Sequence, residues 1–239
     1  MNILITGATS GIGKQLAVDY LAAGHRVWAV GRNEQQLAEL ASLGAETGTV
    51  DLLDREATLA WCAGLERIDC AILSAGSCEY IDLPEFDSAL LARVMRINVE
   101  TMGHSIEGVL PALRHSEAPQ LVGIGSVAAY LPLPRAEAYG ASKAAVAYLI
   151  ETLRITLAVE GIAVSLVSPG FVKTPLTDRN DFPMPFLVST EQASAAIRAG
   201  IAKRRAEIHF PKRFTLLMKA ASLLPRGLWL RLAQRMKKS

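Results

Sequence analysis

Asn2-Ile3-Leu4-Ile5-Thr6 runs directly into Gly7-Ala8-Thr9-Ser10-Gly11-Ile12-Gly13, and a helical pattern with Ile12, Leu16 and Tyr20 at fourfold spacing continues to residue 23. The short apolar run has the length of a buried strand, and fourfold spacing marks one face of a helix. Glycines between the two let the backbone turn sharply and approach a ligand closely. The helix start adds unpaired N–H groups and a partial positive charge, which suit a phosphate. The spacing is Gly-x-x-x-Gly-x-Gly rather than Gly-x-Gly-x-x-Gly. A tight strand-to-helix turn without a ligand would use the same glycines. Their place at the first βα junction of the chain is what points to a dinucleotide pyrophosphate.

Outward from that junction, short β-type runs alternate with longer helical ones. Further strands are predicted at 25–30, 45–50, 68–73, 120–124, 162–167 and 207–210. Helices are predicted at 11–23, 33–42, 54–63, 85–113 with a bend near Asn98, 135–159 and 190–203. Asn33 and Asp54 stand where N-caps belong. Regular alternation predicts an α/β protein with a three-layer, doubly wound Rossmann fold, its seven-stranded parallel sheet covered by helices on both faces. The stretch 169–188 holds four prolines and no periodicity. It reads as a long functional loop.

The chain has 239 residues, 51% hydrophobic and 20% charged. This excludes a disordered chain and fits one domain. Cys62, Cys70 and Cys78 are odd in number and form no Cys-x-x-Cys pair, which favours neither a disulfide framework nor a zinc site. His25, His104, His115 and His209 are scattered, so no metal is expected. The N-terminus lacks the basic start of a signal peptide, and no apolar run reaches the ~20 residues of a membrane span. The expected address is the cytoplasm. The net charge of +2 is a composite. Residues 1–202 carry 14 Lys and Arg against 22 Asp and Glu, whereas 203–239 carry 11 against a single acid, Glu207.

The second strand ends Val30-Gly31-Arg32. In dinucleotide folds a carboxylate here takes the ribose 2′-OH, and an Arg accommodates a 2′-phosphate. Gly31 supplies no carboxylate and Arg32 a planar cation. NADP(H) is therefore the expected cofactor, with NAD(H) second; an exposed loop charge is the plainer account of Arg32. Asp51 is placed to accept from an adenine amino group, with Leu52 packing nearby. Further on, Tyr139-Gly140-Ala141-Ser142-Lys143 puts Tyr139 and Lys143 on one helix face. An ammonium beside a phenol favours the phenolate and is expected to lower its value from ~10 toward working pH. Taken alone, Tyr-x-x-x-Lys is common by chance.

With these residues in place, the sequence resembles the short-chain dehydrogenase/reductase family over roughly 2–210. The family's glycine motif matches Thr6 to Gly13, and its active-site Tyr-x-x-x-Lys matches Tyr139 and Lys143. Its substrate-orienting serine matches Ser126, thirteen residues before the tyrosine. Its structural and relay asparagine matches Asn98 within Arg96-Ile97-Asn98-Val99, its Pro-Gly matches Pro169-Gly170, and its nicotinamide-contacting threonine matches Thr174. One departure stands out: the family's Asn-Ala-Gly is Ser74-Ala75-Gly76, which bears on the stability of the central sheet more than on catalysis. The resemblance implies Tyr139 as general acid/base, Lys143 lowering its pKa and bonding the nicotinamide ribose, Ser126 bonding the substrate oxygen, and Asn98 holding a relay water. It implies cofactor contacts at Gly7, Thr9, Ser10, Gly11, Ile12, Gly13, Arg32, Asp51, Leu52, Ser74, Ala75, Gly76, Pro169, Val172 and Thr174, besides Tyr139 and Lys143. It also implies a homodimer or homotetramer. Cys78 is expected as a small buried filler. Tyr130 fits the substrate site and the core equally well.

The expected activity is reduction of a carbonyl by hydride transfer from the nicotinamide, or oxidation of a secondary alcohol by the reverse transfer, on a small-molecule substrate that can be hydrophobic. The rival is a non-catalytic NADP(H)-binding redox sensor or a membrane-docking scaffold. Residues 1–210 form the expected catalytic domain and 211–239 a basic amphipathic extension. In the extension, Phe214, Leu217, Met218, Ala221 and Leu224 form one apolar stripe, and Leu228, Leu232 and Met236 a second with Trp229 beside it. Docking on the body or on another subunit and peripheral contact with a membrane both fit these stripes. Nucleic acid does not, since the acidic body repels phosphate.

Overall fold

A computed structural model describes residues 1–236, with the side chain of Met236 outside the description. Seven strands form one parallel sheet: β1 (Asn2–Thr6), β2 (Arg26–Gly31), β3 (Glu46–Thr49), β4 (Cys70–Leu73), β5 (Gln120–Ile124), β6 (Ala163–Pro169) and β7 (Glu207–Phe210). Their order is β3-β2-β1-β4-β5-β6-β7. The winding reverses between β1 and β4, and in open α/β sheets ligands bind beyond the strand ends at such a switch point.

Alternate β1 residues divide the core. Ile3 and Ile5 face one apolar layer, closed by α1 (Gly11–Ala22), α2 (Glu34–Ser42) and α7 (Thr190–Ala202). Leu4 faces the other, closed by α5 (Thr101–Arg114) and α6 (Glu137–Thr156), with Trp61 of α3 (Arg55–Cys62) at its margin. Strands buried on both faces must be apolar at every position, which is why β1, β4 and β5 lack the alternation of half-exposed strands. Asn33 and Asp54 cap α2 and α3 as expected, accepting from the backbone N–H of Gln36 and Ala57.

The larger differences from the sequence reading lie in the helices. The helical stretch 85–113 starts only at α4 (Ser88–Met95), capped by Asp87, and Arg96–Glu100 forms a π-turn before α5 where a bend was expected. The helix predicted from residue 135 begins at Glu137, because Arg135 takes φ 64° and pairs with Asp82 and Asp181. The last 3₁₀ turn, Leu157–Glu160, closes on Gly161 at φ 70°.

The extension forms α8 (Lys212–Ser222) and α9 (Arg226–Met236). Phe214, Met218, Trp229 and Ala233 bury against Val127 and Leu131, and Trp229 Nε1 donates to the Pro132 carbonyl at 2.9 Å. The second stripe is therefore misassigned: Trp229 and Ala233 face inward, while Leu228 and Leu232 are exposed. In the first stripe Leu217 and Leu224 are also exposed. Lys237 and Lys238 lie outside the described residues.

Candidate active site

At the end of β1 the chain turns within the space of its own backbone. Gly7 stands at φ 64°, and a Cβ on Gly13 would lie 2.3 Å from the Gly7 carbonyl oxygen. Any side chain at position 13 would push α1 away from the strand and open the turn. Ser10 occupies the N-cap of α1, yet its side chain makes no capping bond, so the hydroxyl and the first N–H groups of the helix remain available. At the end of β2, a Cβ on Gly31 would lie 2.5 Å from Thr9 Cγ2. That crowding keeps an acidic side chain out of position 31. Arg32, one residue on, is exposed and has no ion pair among the described residues. On the β4 side, the Thr6 hydroxyl accepts from the backbone N–H of Ser74 at 3.2 Å and of Ala75 at 3.5 Å. The segment after β4 is thus held from β1 by Thr6.

The reacting groups come from three other elements. Ser126 follows β5 and caps a short 3₁₀ turn, Val127–Ala129, its hydroxyl accepting from Ala128 N–H at 3.1 Å. Tyr139 and Lys143 lie one turn apart on α6. Lys143 is buried, and its Nζ donates to the Ile124 carbonyl at 3.0 Å. Three donors on one ammonium with one protein acceptor leave two for a bound group. Burial lowers the Lys143 ammonium to about 8, with the Cys78 sulfur working the other way. Burial raises the Tyr139 phenol, the Cys78 sulfur adds to this, and the Ser126 hydroxyl opposes it. In the folded chain the Tyr139 phenol thus stands above its ordinary value, opposite to the net direction expected. Nζ lies 5.9 Å from the ring centre, and desolvation of the phenolate is the larger effect.

One cavity of about 480 Å³ at the switch point joins the two sets. Every cofactor-contact residue expected from the sequence lines it except Gly13, which lies behind the turn, and Ser126 lines it as well. Asn98 does not line it. It is fully buried in the π-turn, where its Oδ1 accepts from Ser77 N–H at 2.7 Å and its Nδ2 donates to the Ser77 carbonyl and the Ser142 hydroxyl. Ser142 in turn donates to the Tyr139 carbonyl at 2.7 Å. Asn98 thus ties the segment after β4 to the first turn of α6. Thr174 closes over Gly11, its Cγ2 3.1 Å from where a Cβ would stand. These features fit a dinucleotide: a closed glycine turn, free helix-end donors, an unpaired arginine and a lysine with donors to spare.

A profile of the family described as short chain dehydrogenase matches residues 1–182. The chain belongs to this family. Among short-chain dehydrogenase relatives, an uncharacterised oxidoreductase of Myxococcus xanthus is 32% identical over 98% of this chain and 96% of its own. The short-chain dehydrogenase of Sphingobium yanoikuyae, solved in complex with NADPH, superposes with a TM-score of 0.79 at 27% identity over 92% of each chain. One from Burkholderia cenocepacia, solved with NADP, has a TM-score of 0.87 at 23% identity over 97% of this chain and 96% of that one, a likeness of fold.

Several residues of this short-chain dehydrogenase site escaped sequence reading. Ser142 is one; its place three residues after Tyr139, on the same helix face, was the available signal. Thr177 is another: its hydroxyl accepts from Thr174 N–H at 3.0 Å and donates to the Val172 carbonyl at 2.6 Å, fixing the turn that carries Thr174. Arg179 lines the cavity as a second arginine. Tyr130 does not line it; its hydroxyl donates to Glu207 at 2.8 Å and its ring packs with the extension. Cys78 is half-buried and free. No group of metal-binding side chains occurs among the described residues.

Proposed function

We propose that the chain reduces a carbonyl compound, or oxidises the corresponding secondary alcohol, with NADP(H) as the preferred cofactor. The observation that carries this is the single cavity shared by the glycine turn, Arg32, Ser126, Tyr139 and Lys143. A bound nicotinamide dinucleotide supplies the hydride. The Gly7–Gly13 turn and the start of α1 hold its pyrophosphate, Arg32 its 2′-phosphate, and the two free donors of Lys143 its ribose. Asp51 and Leu52 take the adenine, and Ser74, Ala75, Gly76, Pro169, Val172 and Thr174 enclose the rest.

Ser126 donates a hydrogen bond to the substrate oxygen and orients it. Tyr139 gives that oxygen its proton; a phenol that burial keeps protonated suits the direction of reduction. Lys143, through its charge, stabilises the phenolate left behind. Asn98 acts as a positioning residue, through Ser77 and Ser142. Residues 1–210 carry this chemistry, and 211–239 are an appended unit. A homodimer accompanies the reading, supported by the exposed Tyr148 and Ile155 on α6 and Val159 in the 3₁₀ turn after it.

Tyr139→Phe tests the proposal. NADPH oxidation across a carbonyl panel should fall by about 10²–10⁴-fold while NADPH affinity is retained. A wild-type chain inert on every carbonyl and alcohol would favour the sensor instead.

A further inference from the structure

We infer that the outer face of α8 and α9 is a docking surface for an anionic lipid bilayer. Packing on the body uses only one side of these helices. Lys212, Arg213, Leu216 and Leu217 share the opposite side of α8, and Leu223 and Leu224 continue it. On α9 every described residue but Trp229 and Ala233 is exposed. Seven of the sixteen large exposed apolar side chains among the described residues fall in 212–236, about a tenth of the chain. Leu223 is 86% exposed and Leu217 62%. Monomeric proteins rarely concentrate apolar surface in this way without a partner.

Charge selects the partner. From Ile208 to the end of the chain there is no Asp or Glu. Lys219 is neutralised by Glu207, but Arg213, Arg226, Arg231 and Arg235 have no ion pair among the described residues. Leucines with arginines between them, on helices lying along a surface, match the boundary between acyl chains and anionic headgroups. A second copy docking face to face would set two such cationic surfaces against each other, which symmetry makes unavoidable in an isologous pair. Trp229, a candidate for the interface in the sequence, faces the body instead, which leaves leucines as the large apolar side chains of this surface. No helix among the described residues is long and apolar enough to cross a membrane.

The buried side of α8 adjoins the loop over the cavity. Phe214 of α8 stacks on Phe171 at 5.6 Å and on Phe186 at 6.1 Å between ring centres, and Phe186 and Leu187 are themselves exposed. Docking by α8 and α9 would place that loop, with its exposed Phe186 and Leu187, next to the bound helices. For the reductase proposed above, on which this last step rests, the substrate would then be a lipophilic carbonyl held in the membrane.

Flotation of the full chain with vesicles separates this from the alternatives without measuring catalysis. Vesicles containing phosphatidylglycerol should carry at least tenfold more protein than pure phosphatidylcholine at low salt, and 0.5 M salt should remove the difference. Two variants should each lose at least tenfold in partition: R213E/R226E/R231E/R235E, and L217S/L223S/L228S. All seven positions are exposed and outside the cavity, so thermal midpoint and NADPH binding should stay at wild-type values. No flotation, or equal partition into both vesicle types, overturns the inference. So does a dimer in buffer that the leucine variant dissociates, since a second copy would then cover the face.

Discussion

Lys143 carries the tension between stability and chemistry at the level of one residue. Its ammonium falls from the ordinary lysine value to about 8 in the folded chain. The unfolded chain therefore binds its proton more tightly, and stability rises with pH between about 8 and the ordinary value of ~10.4. Below that window the protein holds a buried charge at a cost of up to about 3 kcal/mol. Lys143→Met should remove this cost: in denaturant unfolding without cofactor, the variant should be more stable than wild type at pH 7, and the gap should close above pH 10. A gap independent of pH would mean that Lys143 carries no buried charge. Tyr139, Ser126 and Lys143 were legible as candidates only together, because the ordered set of motifs is specific where each motif alone is not. The direction of the Tyr139 shift was not legible, because desolvation is a property of what surrounds a group.

Among the elements, the end of β2 shows most directly how local geometry restricts cofactor choice. Gly31 packs against Thr9, so at the end of β2 a carboxylate can enter the site only from position 32. Arg32→Asp should lower kcat/KM for NADPH by about 10- to 100-fold, the worth of a charge-assisted hydrogen bond, and leave NADH little changed or improved. Equal loss with both cofactors would show that Arg32 does not read the 2′-phosphate. Strands and most helices could be read from the sequence because β1, β4, β5 and the caps at Asn33 and Asp54 act locally. The π-turn at Arg96–Glu100 could not. No residue type encodes it, and what fixes it is the bond set of Asn98 to Ser77 and Ser142, from segments 21 and 44 residues away. The late start of α6 has a similar origin, since Arg135 leaves the helix to join Asp82 and Asp181.

The whole molecule is a sheet with an amphipathic extension folded against the residues beside Ser126. Trp229 fills the centre of that contact and bonds the Pro132 carbonyl. Trp229→Ala should cost about 3 kcal/mol, lowering the thermal midpoint by roughly 6–12 °C while NADPH binding persists below the new midpoint. An unchanged midpoint would mean that α9 contributes nothing to the fold. The sequence alone determined the parallel α/β architecture, because apolar periodicity, caps and glycine turns act over a few residues, and its family motifs named the candidate site from Gly7 to Thr174. Tertiary structure decided which side of α8 and α9 is buried, whether Tyr130 faces the cavity or Glu207, and which way the Tyr139 phenol shifts. Each of these depends on desolvation and on partners distant along the chain, and a helix whose leucines and arginines circle its axis does not announce which side the body will cover.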